Sequence, residues 1–336
     1  MFTINKSVSV WEQLVQLPFL NLYSRLLNAA MELDVFSQLC QPVTAEALAV
    51  RMGWHKANTE YLLSALVSIG FLNKTDGTYQ NTEEVDRYLV KGKDEYLGGF
   101  LPFYMQEGMA PMDVKLLVTK GPQSQQQEAM EQQLDFASFA QRMRQAQEGY
   151  RQQELLRIVR SLPENDQIRR VLDLGGATGL LGLAVIGDRP DRTGVLFDRF
   201  PPAVVEESIS LMGLTDRTEV MCGNFMADRI GERYDLILAL NVMLFAKGRM
   251  EELLKKCYDA LNPGGVLLVI SEAILPDHTG PWDMVMGYLP YYFQGMDMGV
   301  LKNEVSDAAV RVGFTKCEKR TECLCSGTQD IDIIRK

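Results

Sequence analysis

Histidine is scarce in this chain: His55 and His278 are the two among 336 residues, so a mechanism built on imidazole has little to draw on. Long apolar runs are absent as well. None approaches the roughly 18 residues of a membrane span, and residues 1–20 hold one lysine and no apolar block ending in a small-residue cleavage site, so neither signal peptide nor anchor is expected. Positive charge is outweighed. With 34 Lys and Arg against 44 Asp and Glu, the net charge of −10 repels phosphate backbones and anionic membranes, and neither nucleic acid nor membrane is an expected partner. The six cysteines (Cys40, Cys222, Cys257, Cys317, Cys323, Cys325) form no framework; their scatter fits a reducing cytoplasm and predicts buried apolar thiols. Cys323 and Cys325 would share a strand face, but two thiols without nearby histidines make a poor metal site, and no metal is expected.

What is present is an ordinary globular composition, 46% hydrophobic and 23% charged, in a chain long enough for two domains. From about Leu22 to Leu89 the pattern is helical: Leu22, Leu26, Leu27, Ala30 and Leu33 fall at helical spacing, Thr44 is placed to cap one helix and Asn58 another. Phe71 to Asn73, Asp76-Gly77 and Thr78-Tyr79 then predict a small hairpin, completing the order of a winged helix. A DNA-reading helix needs cations for phosphates, and the third segment, Ala57 to Gly70, has neither lysine nor arginine and one charge, Glu60. A dimerisation module is the better expectation, since such an apolar helix set would otherwise leave its surface exposed. The glutamine-rich piece 123–133 is followed by apolar residues, among them Phe139 and Met143, that predict long helices ending at Ser161-Leu162-Pro163.

Beyond Pro163 short apolar runs at Val171–Leu174, Gly194–Phe197, Thr218–Met221, Leu236–Leu240, Val266–Ile270 and Ile331–Ile334 alternate with helix-like stretches, the pattern of an α/β doubly wound, mostly parallel sheet. The first run ends in Asp173-Leu174-Gly175-Gly176-Ala177-Thr178-Gly179-Leu180. Measured from Gly175, a dinucleotide fingerprint would need glycines where Ala177 and Leu180 stand, and the Lys-Ser/Thr pair of a P-loop is missing, so the loop is not built for phosphate. Asp173 precedes it and Asp198 closes the next run, where an acid is placed to accept from ribose hydroxyls. Glycines with two acids suit a nucleoside carrying a cationic tail, and S-adenosyl-L-methionine is such a molecule.

In these residues the chain resembles the dimeric small-molecule O-methyltransferases, with a winged-helix dimerisation domain before a Rossmann-like class I methyltransferase domain. The matching pieces are Val171 to Gly179, Leu196-Phe197-Asp198-Arg199 with Pro201, Cys222 to Met226, Tyr234 to Leu238, and Leu261 to Leu268. The resemblance implies dimerisation by residues 1–110, linking helices over 111–162 that contribute to the acceptor pocket, and cofactor binding by 163–336. It implies that Gly175 and Gly176 pass the methionine part, Asp173 helps hold its amino group, Asp198 binds the ribose, Asn224 faces the adenine, Phe225 packs on the ring, and Asn241 joins the cofactor site. A small-molecule acceptor and a homodimer follow from the same resemblance.

Two departures matter. Where the family carries a histidine base after the fourth strand, the stretch Asn241-Val242-Met243-Leu244-Phe245-Ala246 has Leu244, and the Gly-x-Glu-Arg-Thr motif whose glutamate orients that base is replaced by Phe293-Gln294-Gly295-Met296-Asp297-Met298-Gly299. A base matters where a proton must leave a weakly acidic acceptor; sulfur, nitrogen or activated carbon acceptors are therefore favoured over a plain hydroxyl. Phe139, Met143, Met243, Leu244, Tyr288, Tyr291 and Tyr292 are the expected pocket residues. Left open are a substitute base among Tyr288, Tyr291, Asp283 and Asp297, which would restore O-methylation, and a catalytically silent regulatory homologue.

Overall fold

The computed structural model describes residues 9–102, 112–122 and 136–336; the glutamine-rich stretch lies outside them. The chain divides into two compact units, residues 1–109 and 110–336.

The first unit is helical with a small wing. Its long helix, Val10–Glu32, begins earlier than the spacing of leucines predicts, because Ser9 and Glu12 form a capping box: Glu12 N–H donates to the Ser9 hydroxyl and Ser9 N–H to the Glu12 carboxylate. Leu27, Ala30 and Met31 are buried, whereas Trp11, Leu14, Leu17, Phe19 and Leu22 are exposed along the first turns. Thr44 caps Ala45–Met52 as expected. Lys56–Ser68 is capped by His55 rather than Asn58; the His55 ring nitrogen Nδ1 accepts the Asn58 N–H, so Asn58 already sits in the first turn. Strands β2 (Leu72–Thr75) and β3 (Thr78–Asn81) form the predicted hairpin about Asp76-Gly77, both in positive φ, and β1 (Val43–Thr44) adds to β3.

The second unit holds a seven-stranded sheet in the order β6-β5-β4-β7-β8-β10-β9. The strands are β4 (Arg170–Leu174), β5 (Thr193–Asp198), β6 (Thr218–Cys222), β7 (Tyr234–Leu240), β8 (Leu261–Glu272), β9 (Lys316–Leu324) and β10 (Gly327–Arg335). The first five are parallel, while β10 runs antiparallel to β8 and β9. Helices Tyr150–Arg160 and Leu180–Gly187 cover one face and Met250–Ala260 and Glu304–Val312 the other. Burial on both faces is why β4, β7 and β8 are almost wholly apolar. Strand order reverses between β4 and β7, so a ligand crevice opens at their carboxyl ends.

Strand β9 has no apolar run to announce it: Lys-Cys-Glu-Lys-Arg-Thr-Glu-Cys-Leu is the charged edge of the sheet. That edge corrects the cysteine expectation. Cys323 is exposed on β9 and Cys325 lies past its end, Cys222 is exposed too, and of the six only Cys257 is fully buried. Among the described residues no helix is long and apolar enough to cross a membrane.

Arg192, 0% exposed, ties the sheet to its helices by donating to the Val185 carbonyl (3.0 Å), the Asn165 carbonyl (2.8 Å) and Asn165 Oδ1 (2.7 Å). Arg192→Ala would strand those acceptors beside Asp188. We expect a loss of about 3–5 kcal/mol in urea unfolding; a loss under about 1 kcal/mol would show that the guanidinium is not a structural tie.

Candidate active site

The crevice begins with the turn after β4. Gly175 N–H donates to the Phe197 carbonyl at 2.7 Å, and Gly175, Ala177 and Gly179 all have positive φ (71°, 54° and 80°). There is no room for side chains here: a Cβ at Gly175 would lie 2.6 Å from Val242 Cγ1, and one at Gly176 would fall on the Asp173 carboxylate. Ala177 adopts the left-handed conformation, which disfavours a Cβ, while its N–H donates to Asp198 Oδ2 at 2.7 Å. Gln147, buried at the end of Phe136–Gln147, clamps the turn from above. Its Nε2 donates to the Gly176 carbonyl (2.9 Å) and its Oε1 accepts from the Thr178 hydroxyl (2.6 Å). Nothing in a glutamine-rich sequence marks Gln147 out, because its role depends wholly on a contact 29 residues away.

The two acids differ. Asp173 is 1% exposed and accepts from Gly182 N–H at 3.1 Å. Burial pushes its carboxyl up to about 7, against the Gly182 hydrogen bond and with help from the neighbouring Asp198 charge. Asp198 is half-buried and accepts one backbone N–H on each oxygen, from Ala177 and from Phe200 at 3.0 Å. A carboxylate has about four lone-pair sites, so one on each oxygen remains open. Asn224 is exposed and folds its own turn, with Oδ1 accepting from Met226 N–H at 3.0 Å and its N–H donating to Asp228. Phe225 is buried in the core and lies against Gly175. Asn241, immediately after β7, has φ 55° and donates its N–H to the Ile270 carbonyl. Asp173, Gly175, Gly176, Asp198 and Phe225 thus meet around one turn.

On the β7–β8 side the expected pocket residues scatter. Met243 is fully buried in the core, Leu244 packs half-buried against the same cluster, and Met143 packs against the opposite one. The side chain of Phe139 lies outside the described residues. Tyr288, Tyr291 and Tyr292 all sit on the helix Trp282–Phe293. The Tyr288 and Tyr291 rings are 5.9 Å apart, and Tyr292 meets the exposed His278 edge-on at 5.4 Å. Tyr288 Oη donates to Glu272 Oε1 at 2.5 Å. Glu272, which ends β8 and is 1% exposed, is not among the sequence candidates, although it closes an apolar run just as Asp198 does. Burial raises its pKa, opposed by hydrogen bonding from Tyr288 and its other neighbours. A small cleft lies nearby, lined among others by Arg151, Glu154, Leu240, Asn241, Ser326 and Gln329. Of the expected site residues whose side chains are described, Asn241 alone borders it.

The family model of an O-methyltransferase domain matches residues 122–304, and that of an O-methyltransferase dimerisation domain matches residues 15–91. The chain is 27% identical over 267 residues to the 3-hydroxy-5-methyl-1-naphthoate 3-O-methyltransferase of Streptomyces sahachiroi, covering 77% of this chain and 76% of that one. It is 24% identical to the N,N-dimethyltransferase OxyT of Streptomyces rimosus, covering 85% and 83%. Among solved structures it shares its fold with human N-acetylserotonin methyltransferase in complex with SAM, at a TM-score of 0.70, 20% identity and 99% coverage of both chains.

Asp173 generates a stability prediction. Its folded pKa of about 7 exceeds the ordinary 3.8, so the folded state holds a proton that the unfolded chain has lost, and stability falls as pH rises from about 4 through about 7. Asp173→Asn should therefore raise the melting temperature of the cofactor-free protein at about pH 8, with the gain shrinking toward about pH 5. An equal effect at both pH values would mean that Asp173 does not bury its charge.

Proposed function

From the chain's membership of the O-methyltransferase family, as an S-adenosyl-L-methionine-dependent methyltransferase, we propose that it methylates a small molecule, acts as a homodimer and uses no histidine base. The observation that carries this reading is the turn between Asp173 and Asp198: two carboxylates, one with open acceptor directions, flank backbone that no side chain could replace. The residues fit the cofactor. Asp198 has one free lone-pair direction per oxygen for the two ribose hydroxyls, Asp173 supplies negative charge for the amino group, and Gly175 and Gly176 leave space for the methionine part. Phe225 and Asn224 serve the adenine end, and Asn241 closes the crevice beside β7. When bound, S-adenosyl-L-methionine supplies a methyl group already activated by its sulfonium. The chain's own task is then to align an acceptor and exclude water.

The absence of an imidazole base is supported by what each histidine does. His55 caps a helix in the first unit, and His278 is exposed on the loop after β8 and meets Tyr292 edge-on. Leu244 offers no proton acceptor. The relatives' names mention a hydroxynaphthoate oxygen and a doubly methylated nitrogen, so we read the acceptor as a small ring-bearing molecule, met by Met143 and the three tyrosines. The helices Phe136–Gln147 and Tyr150–Arg160 contribute to that pocket. Dimerisation is supported by the apolar row Trp11, Leu14, Phe19 and Leu22 exposed on the first helix.

Two measurements test these readings. Asp198→Ala should weaken S-adenosyl-L-methionine binding in calorimetric titration about 10- to 100-fold, the size expected for lost hydrogen bonds to a charged group; unchanged affinity would remove the ribose assignment. Leu14→Glu with Leu22→Glu should convert a dimer to a monomer in sedimentation, and a wild-type protein that sediments as a monomer would refute the dimer outright.

A further inference from the structure

With Leu244 in place of a base, a proton on the acceptor needs another destination. We infer that Tyr288 and Glu272 together take it, Tyr288 as the catalytic group that meets the acceptor and Glu272 as the positioning residue that holds Tyr288 and receives the proton. The acceptor is then a hydroxyl or N–H compound. This deepens the methyl-transfer reading and rests on it.

Position comes first. Leu240 of β7 pairs with Ile270 of β8, which sets Glu272 at the carboxyl edge of the sheet, next to Asn241. Asp198 lies on the opposite side of β4 in the strand order, so the reversal between β4 and β7 separates a cofactor side from an acceptor side. Chemistry comes second. Glu272 is almost completely buried, yet no cation acts on it among the described residues, and its Oε2 has no partner at hydrogen-bonding geometry. A carboxylate placed for stability alone would be paired, or replaced by a neutral amide. Its shortest contact is the Tyr288 hydroxyl, with the Val300 backbone and the Asn241 side chain also hydrogen-bonding it, and its burial strengthens its hold on a proton.

The alternatives are otherwise engaged. Asp283 accepts from Thr328 N–H at 2.6 Å and anchors β10, Asp297 pairs with Lys247 at 2.6 Å and is exposed, and Tyr291 leans on Tyr288. Tyr288 hands its proton to a buried acid. A phenol by itself is a poor base, with a pKa near 10. Coupled to Glu272 it need not ionise. As the acceptor heteroatom forms its bond to the methyl carbon, the carbon–sulfur bond breaks with its electron pair going to sulfur. The acceptor's proton moves to Tyr288 Oη while Tyr288's own proton moves to Glu272 Oε1. Tyr288 ends neutral, and Glu272 ends protonated and later loses that proton to solvent.

The test uses Tyr288→Phe and Glu272→Gln, both nearly isosteric, in the full-length protein, with 1-naphthol and 4-nitrophenol as weakly and strongly acidic probes. The first readout needs no turnover: 4-nitrophenol bound to protein saturated with S-adenosylhomocysteine should show nitrophenolate absorbance at a pH where the free phenol is neutral, and lose it in both variants. The second is release of S-adenosylhomocysteine. Both variants should lose about 10²- to 10⁴-fold with 1-naphthol and regain most of it with 4-nitrophenol at a pH where it is already ionised, with S-adenosyl-L-methionine affinity unchanged. Equal losses on both phenols, unaltered absorbance in Tyr288→Phe, or turnover of thioethers and tertiary amines with none of phenols would overturn the pair. Cofactor binding without turnover of phenols, amines or thiols would instead overturn the methyl-transfer reading itself.

Discussion

Two carboxylates at the ends of adjacent parallel strands dictate the shape of the turn between them. Asp173 points into the protein, where its burial leaves no space for a Cβ at Gly176 or Gly182. Asp198 points toward the crevice and draws the Ala177 N–H onto itself, holding an alanine in a conformation that glycine adopts more easily. Gln147 then closes the turn from a different helix. Remove either acid and the turn loses the group that fixes one of its sides. The same division suits the proposed binding roles: the inward acid carries charge at high cost, and the outward acid keeps lone pairs open.

The sheet then separates two tasks. Asp173, Gly175 and Asp198 gather at the ends of β4 and β5, while Asn241, Glu272 and Tyr288 gather at the ends of β7 and β8. Both sets use the same device, an acid in the last two positions of an apolar strand. What distinguishes Glu272 is that its closest partner is a phenol hydroxyl, whose proton is the one the proposed relay would move. Leu244 packs half-buried against the core.

Much of this was legible in the sequence. The apolar runs located the parallel strands to within a few residues, because strands covered on both faces need continuous apolar side chains, and glycine with two strand-end acids marked the turn. Thr44 declared its helix start because a hydroxyl before an apolar repeat has few other roles. The misses share a cause. β9 is charged because it is an edge, His55 caps a helix although imidazole is an unusual cap, and Cys222 and Cys323 are exposed because their strands have an open face. Gln147, Glu272 and the cleft beside Glu154 depend on contacts between segments far apart in the chain, and no local pattern records them. Met243 shows the reverse: its type and position suited a pocket, yet packing placed it wholly in the core.

The most direct measurement is transfer of label from methyl-labelled S-adenosyl-L-methionine by the wild-type protein to a set of small acceptors spanning phenols, amines, thiols and thioethers. Labelled product should appear in at least one class, matched by an equal amount of S-adenosylhomocysteine. Tight cofactor binding with no label in any acceptor would contradict methyl transfer and leave a protein that holds its cofactor without using it.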